Sequence, residues 1–219
     1  MLENVRPLSA KMVWLIVTIV ILGGFQLVEQ IMSESSLRSV FRYERELIVG
    51  GEYYRLLTAH LVHLNWAHLG VNVLGLSACY LLLDGSARDL AACLVLGMLV
   101  ISAGLFLFYP QVQWYAGYSG VLYGQILYGL LAGIMQEARR ARQVVDPRGM
   151  LRLGLLGVAV IYFLFRIVAG IWPSAGSNAV SRVSETLIGA PVLHEAHMLG
   201  AIAGLLAWSL LCLRKTPQT

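Results

Sequence analysis

The chain has 219 residues, 58% of them hydrophobic and only 13% charged, with a net charge of +4 at pH 7. A mean hydropathy of +0.72 lies far outside the range of a soluble domain and marks an integral membrane protein. Too little polar chain remains for separate exposed domains, and the arginines cluster beside the apolar runs. The positive charge therefore reads as membrane orientation and not as a nucleic-acid surface.

Six runs approach the roughly 20 residues that a helical crossing needs. They are 12–28, 65–83, 90–109, 119–135, 151–172 and 197–213. The expected fold is an all-α membrane protein, a bundle of six transmembrane helices in which residues 1–219 form a single domain. The first run follows Arg6 and Lys11 like a secretory signal, but no small-x-small cleavage site closes it, so a retained span is expected. Arg6, Lys11, Arg88, Arg139, Arg140, Arg142, Arg148, Arg152, Arg214 and Lys215 all fall on one side of the six runs. By the positive-inside rule that side, with both termini, is cytoplasmic.

The first loop, 29–56, opposes this count with Arg38, Arg42, Arg45 and Arg55, offset by Glu29, Glu34, Glu44, Glu46 and Glu52. Its length and mixed character predict a segment folded on the outer membrane surface. Cys79, Cys93 and Cys212 lie within or beside apolar runs without paired spacing, and predict neither a disulfide nor a metal site.

The second run opens with HLVHLNWAHLGVN. His68 and Asn72 are four apart, so on a helix they share one face. Their imidazole N–H and amide NH2 are suitable donors for a carbonyl oxygen acquiring negative charge. His60 and His63 precede the helix proper; rings of this kind also serve as half-polar residues at a membrane interface.

Between the third and fourth runs stands WYAGYSGVLYG, 114–124. Ser119 sits between Gly117 and Gly120, which permit a tight turn and leave the hydroxyl uncovered. At a helix N-terminus the unpaired N–H groups and the dipole would favour a developing oxyanion. Serine and glycine in an apolar helix also serve simply to let two helices approach. Tyr123 lies one turn after Ser119, either as a packing residue or as a ring that stacks on an imidazole.

Arg166 is the one basic residue well inside a run, placed to snorkel to the interface or to contact substrate or lipid. The outer loop 173–193 is rich in Ser, Ala and Gly and is expected to act as a mobile flap. In HEAHMLGAIAG, His197 is followed by Gly200 and Gly204 on nearly the same face. These small residues would let the sixth helix press on the fourth, lined by Gly120, Gly124, Gly129 and Gly133, and bring His197 to Ser119 as the base that activates its hydroxyl. No carboxylate offers itself as a third member. Asp84 and Asp89 are on the cytoplasmic side, and Glu195, two residues from His197, is on another face.

Taken together, these motifs resemble the rhomboid intramembrane serine proteases across all six runs. Gly117-Tyr118-Ser119-Gly120 is similar to that family's G-x-S-G and implies Ser119 as nucleophile. His197-x-x-Gly200-x-x-x-Gly204 resembles its sixth-helix motif and implies His197 as base. His63, His68 and Asn72 resemble its second-helix pattern, which implies an oxyanion hole of His68, Asn72 and the Ser119 amide. Glu52-Tyr53-Tyr54-Arg55 resembles its first-loop Trp-Arg turn, with Tyr54 where Trp is usual.

The phrases LLTAHLVHLNWAHLGVNVLGL and LIGAPVLHEAHMLGAIAGLL look most like the rhombosortase branch. That likeness implies a bacterial inner-membrane enzyme opening to the periplasm. It implies substrates that are transmembrane proteins with a C-terminal Gly-Gly element, an apolar span and a basic end. Membrane lipid is the other expected partner; no cofactor, metal or nucleic acid is expected.

Three rivals remain on the sequence alone. A haem carrier would use His68 and His197 as axial ligands, which fits poorly with glycines that bring helices into contact and leaves Ser119 and Asn72 idle. A metalloprotease would need H-E-x-x-H, whereas His194-Glu195-Ala196-His197 has the wrong spacing. An inactive rhomboid relative, acting in binding or quality control, would usually lack the nucleophile or the base.

Overall fold

The computed structural model describes residues 8–31, 37–144, 146–171 and 185–213. Among them, six helices reach 17 residues or more: α1 (Ala10–Ile31), α5 (Trp66–Leu82), α6 (Ala87–Phe108), α7 (Ser119–Ala141), α8 (Pro147–Ile171) and α9 (His194–Leu213). The short helices α2 (Leu37–Phe41), α3 (Arg45–Val49) and α4 (Arg55–Thr58) fill the first loop. Two short strands, β1 (Tyr43–Glu44) and β2 (Trp114–Tyr115), pair antiparallel with Tyr43 opposite Tyr115. By length and composition Ala10–Ile31, Ala87–Phe108 and Pro147–Val168 can each cross a membrane, and Trp66–Leu82 is a shorter apolar helix.

Local chemistry sets the helix ends. Asn65 caps α5 by accepting from the His68 N–H at 2.8 Å. Ser86 and Asp89 form a reciprocal capping box that starts α6, and Pro147 stands at the first position of α8, where its missing N–H costs nothing. Two expectations on length need correction. Helix α7 continues beyond residue 135 to Ala141, and α8 begins at Pro147, so Arg139, Arg140 and Arg148, which fall between the expected runs, are helical. Arginine ends apolarity without ending a helix, and at the last turn of α7 it complements the dipole.

The arginines of the first loop have structural partners. Arg55, only 4% exposed, donates to the Ser39 and Arg42 carbonyls at 2.8 and 3.1 Å and pairs with Glu52 at 2.7 Å. Arg45 donates to the Leu105 and Phe106 carbonyls at 3.3 and 2.7 Å, satisfying the open C-terminal end of α6. Arg42 pairs with Glu44 at 2.9 Å. Tyr54 packs edge-on against Phe41, and Phe41 against Phe25 of α1, which fastens the loop to the bundle. The Tyr54 hydroxyl donates to Glu52 at 2.7 Å. Arg6, Glu34, Arg214, Lys215, the 173–184 part of the outer loop and the side chains of Arg38 and Cys212 lie outside the described residues.

At the far end of α7 from Ser119, Arg152 joins Glu137 at 2.6 Å and Asp84 at 2.8 Å. Glu137 is 3% exposed and also pairs with Arg140, so removing one partner would leave a buried charge uncompensated. Fully buried Gln125 is satisfied too: its amide donates to the Leu90 carbonyl at 3.1 Å and its oxygen accepts from the Tyr118 hydroxyl at 3.1 Å.

Candidate active site

Ser119 is the first residue of α7, and the turn before it is held from two directions. Gly117 donates its N–H to the Ala59 carbonyl at 2.9 Å, and its own carbonyl accepts from the Tyr115 hydroxyl at 2.6 Å. Its φ of +128° is open to glycine and rare for other residues. A side chain there would also collide with His68, whose Cε1 lies 2.7 Å from where a Cβ would stand. The requirement for glycine at 117 is thus both conformational and steric, and the His68 ring lies directly under the serine turn.

His68 occupies the first turn of α5, fixed by the Asn65 cap. Its Nδ1 accepts from the Leu64 N–H at 3.4 Å, which assigns the hydrogen to Nε2, the nitrogen closer to Gly117. Asn72, one turn on, is buried, and its Nδ2 has no hydrogen-bond partner among the described residues. Both line one cavity of about 680 Å³ together with Ser119, Tyr123, Arg166 and His197. A buried donor without an acceptor is costly unless a ligand oxygen completes it.

The opposite wall is α9. His197 Nε2 lies 3.0 Å from Ser119 Oγ, although 78 residues separate the two in the chain. The Tyr123 ring stacks on the imidazole, with centroids 4.1 Å apart and planes 5° from parallel, and Phe163 of α8 packs behind Tyr123. With one ring face covered and Nε2 engaged by the serine, the imidazole has a single orientation. Among the described residues no carboxylate hydrogen-bonds to it.

Glycine makes this approach possible. A Cβ on Gly120 would come within 2.9 Å of the Ala196 carbonyl, and one on Gly124 within 2.6 Å of the Gly200 carbonyl. A Cβ on Gly200 would overlap the Gly120 carbonyl, and one on Gly204 the Gly124 carbonyl. Helices α7 and α9 therefore meet backbone to backbone, closer than any side chain would allow. Gly129 and Gly133 face Leu83, Asp84 and Leu156 instead of α9, which differs from the expectation that all four glycines line one seam.

The structure brings Ser119, His197, His68, Asn72, Tyr123, Gly117, Gly120 and Gly200 to one place. His63 is buried beside them, its ring edge-on to His68 at 5.0 Å. His60 needs correction: it is no interfacial ring but is fully buried, with Nε2 3.1 Å from Ser102 Oγ and its ring edge-on to Tyr115. The partner that makes burial tolerable comes from α6, 42 residues away, and no local pattern announces it. Asn65 went unremarked in the sequence, although an Asn three residues ahead of His68 is a recognisable cap signal. Its amide also donates to the Leu187 and Ile188 carbonyls at 3.2 and 2.9 Å, tying the end of the outer loop to the head of α5.

Among curated proteins none matches the chain. The family model described as Rhomboid domain matches residues 50–214, a span that contains every residue of this site. The chain belongs to the rhomboid family of intramembrane serine proteases.

Proposed function

We propose that this protein is a serine endopeptidase that cleaves transmembrane protein substrates, with Ser119 as nucleophile and His197 as general base. The observation that carries this reading is the 3.0 Å contact between Ser119 Oγ and His197 Nε2 on the wall of a cavity. In the forward step Nε2 accepts the hydroxyl proton as Oγ bonds to the substrate carbonyl carbon. The carbonyl oxygen becomes an oxyanion, met by His68 Nε2–H, Asn72 Nδ2–H and the Ser119 amide at the start of α7. The imidazolium then gives its proton to the departing amine, leaving Ser119 acylated; a water deprotonated by His197 releases the acid product. Tyr123 and the His63–His68 contact keep the two histidines in place, and Gly117, Gly120 and Gly200 allow the backbones to come together.

On this reading residues 1–219 form one domain of six spans, α1 and α5 to α9, with both termini cytoplasmic and the site near the outer face. The loops 29–56 and 173–193 lie on that outer side. The bacterial inner membrane, with the cavity open to the periplasm, suits this arrangement. The cluster of Arg140 and Arg152 at the end of α7 away from Ser119 supports the orientation. Within the family the second- and sixth-helix phrases favour the rhombosortase branch and substrates with a C-terminal Gly-Gly tail. Paired glycines also make local unwinding of a substrate helix inexpensive.

The test is cleavage of a reporter carrying a Gly-Gly transmembrane tail by purified protein in proteoliposomes. Ser119→Ala and His197→Ala should each lower turnover by about 10⁴-fold or more while the protein still inserts and folds. Undiminished cleavage by either folded variant would rule out the dyad.

A further inference from the structure

Arg166 lies on α8, five residues before its end at Ile171, and is half-buried. The neighbouring Ile161, Tyr162 and Phe165 are 61–70% exposed and make up the outward side of the helix. Arg166 instead lines the cavity, with Ile167, Ser119 and His197. It has neither hydrogen bond nor ion pair among the described residues. Glu195 lines the same cavity, yet among the described residues it forms no ion pair with Arg166.

A cation within an apolar helix is expensive when nothing answers it, and such residues face interiors or water-filled cavities where they meet a ligand. Snorkelling would send the side chain along the lipid side toward headgroups. This one faces the space that also holds the nucleophile, the base and two oxyanion donors. What occupies that space during reaction is the unwound substrate segment.

We propose that Arg166 is a specificity-determining residue that receives an acidic side chain of the substrate close to the scissile bond. This deepens the protease reading and rests on it. The guanidinium offers a planar fork of donors that matches a carboxylate in two parallel hydrogen bonds, which an uncharged amide cannot return.

The experiment uses the full-length protein in neutral phosphatidylcholine vesicles and peptidyl fluorophosphonates in pairs that differ only by Glu or Gln, stepped through successive positions next to the phosphorus. The readout is the rate at which Ser119 becomes labelled. At one position the Glu probe should label the wild-type protein roughly tenfold or more faster than its Gln partner. The ratio should fall to about one in Arg166→Gln and recover in part in Arg166→Lys, which keeps charge but not the fork. Each ratio is internal to one protein, so a lower yield of folded variant does not disturb it, and the wild-type ratio stands without any variant.

Equal Glu and Gln rates at every position in the wild-type protein would overturn the assignment, as would a preference that survives Arg166→Gln. So would a preference seen in neutral vesicles that disappears when phosphatidylglycerol is added, because Arg166 would then be a lipid-phosphate site. Failure of a simple alkyl fluorophosphonate to label wild-type Ser119 would instead sink the protease reading, and this assignment with it.

Discussion

The seam between α7 and α9 and the outer helix α8 are both apolar and both contain glycine, yet they use it in opposite ways. In the seam, Gly120, Gly124, Gly200 and Gly204 each have backbone of the facing helix where a Cβ would be. In α8, a Cβ on Gly154 or Gly157 would meet nothing within 4 Å. Composition alone does not separate these cases; only the facing partner does. The Ser119–His197 contact is assembled by removing side-chain volume, so the two residues are placed by backbone contact instead of by adjustable side chains. Helix α8, largely exposed along its length, contributes Phe163 behind Tyr123 and Arg166 on the cavity wall.

The contrast can be broken most severely by adding one carbon to the seam. Gly200→Ala puts a Cβ into the Gly120 carbonyl, which forces the helices apart and takes Nε2 out of reach of Oγ. Labelling of Ser119 should fall by at least about 10²-fold, since a misplacement of about 1 Å is worth that much. The variant should also unfold at lower temperature in detergent. Near-normal labelling would show that the contact is not what sets the geometry.

The next effect belongs to the donors beneath the serine turn. His68→Ala or Asn72→Ala should lower turnover by roughly 10²- to 10³-fold, mainly in kcat, because these hydrogen bonds strengthen only when the oxyanion forms. An equal loss confined to KM would assign them to substrate binding. A smaller effect is expected in α8: Gly154→Ala and Gly157→Ala should change stability by less than about 1 kcal/mol and leave labelling of Ser119 unaltered. Loss of activity there would mean that α8 glycines also serve a close approach.

The smallest effect concerns the first loop, outside the spans. Hydrogen bonds from the Tyr54 hydroxyl and the Arg55 guanidinium hold the Glu52 carboxyl below its ordinary value of 4.5. A depressed carboxylate contributes stability that is present above the unfolded value and is lost as pH falls through the folded one. Glu52→Gln should therefore remove at neutral pH the stability that the carboxylate contributes there beside Arg55, and flatten the decline in melting temperature below about pH 4.5. Because the group is exposed, the change should be slight. A decline just as steep in the variant would put the acid sensitivity elsewhere.

Much of this arrangement was legible in the chain. Among the described residues the three helices long and apolar enough to cross a membrane announce themselves by run length, and the spacing of His197, Gly200 and Gly204 already specifies a face that must touch something small. Ser119 between two glycines was ambiguous by itself, since that pattern also serves helix packing; the histidine groups level with it at the outer ends of the runs made it readable. What was not legible depends on partners remote in sequence. His60 finds the partner of its Nε2 in Ser102, 42 residues away, and Arg45 is a helix terminator for α6 instead of a topological signal. Asn65 holds both His68 and the helical carbonyls of Leu187 and Ile188, a link of more than a hundred residues. Helix ends were misjudged at α7 and α8 because apolarity stops where the membrane does, while helical hydrogen bonding continues.

The central claim is that His197 activates Ser119. Its most direct test is fluorophosphonate labelling of the wild-type protein and the His197→Ala variant in proteoliposomes, with the modified residue located by mass spectrometry. Phosphonylation at Ser119 is expected in the wild-type protein and essentially none in a folded variant. Labelling of Ser119 at the same rate in both would contradict it.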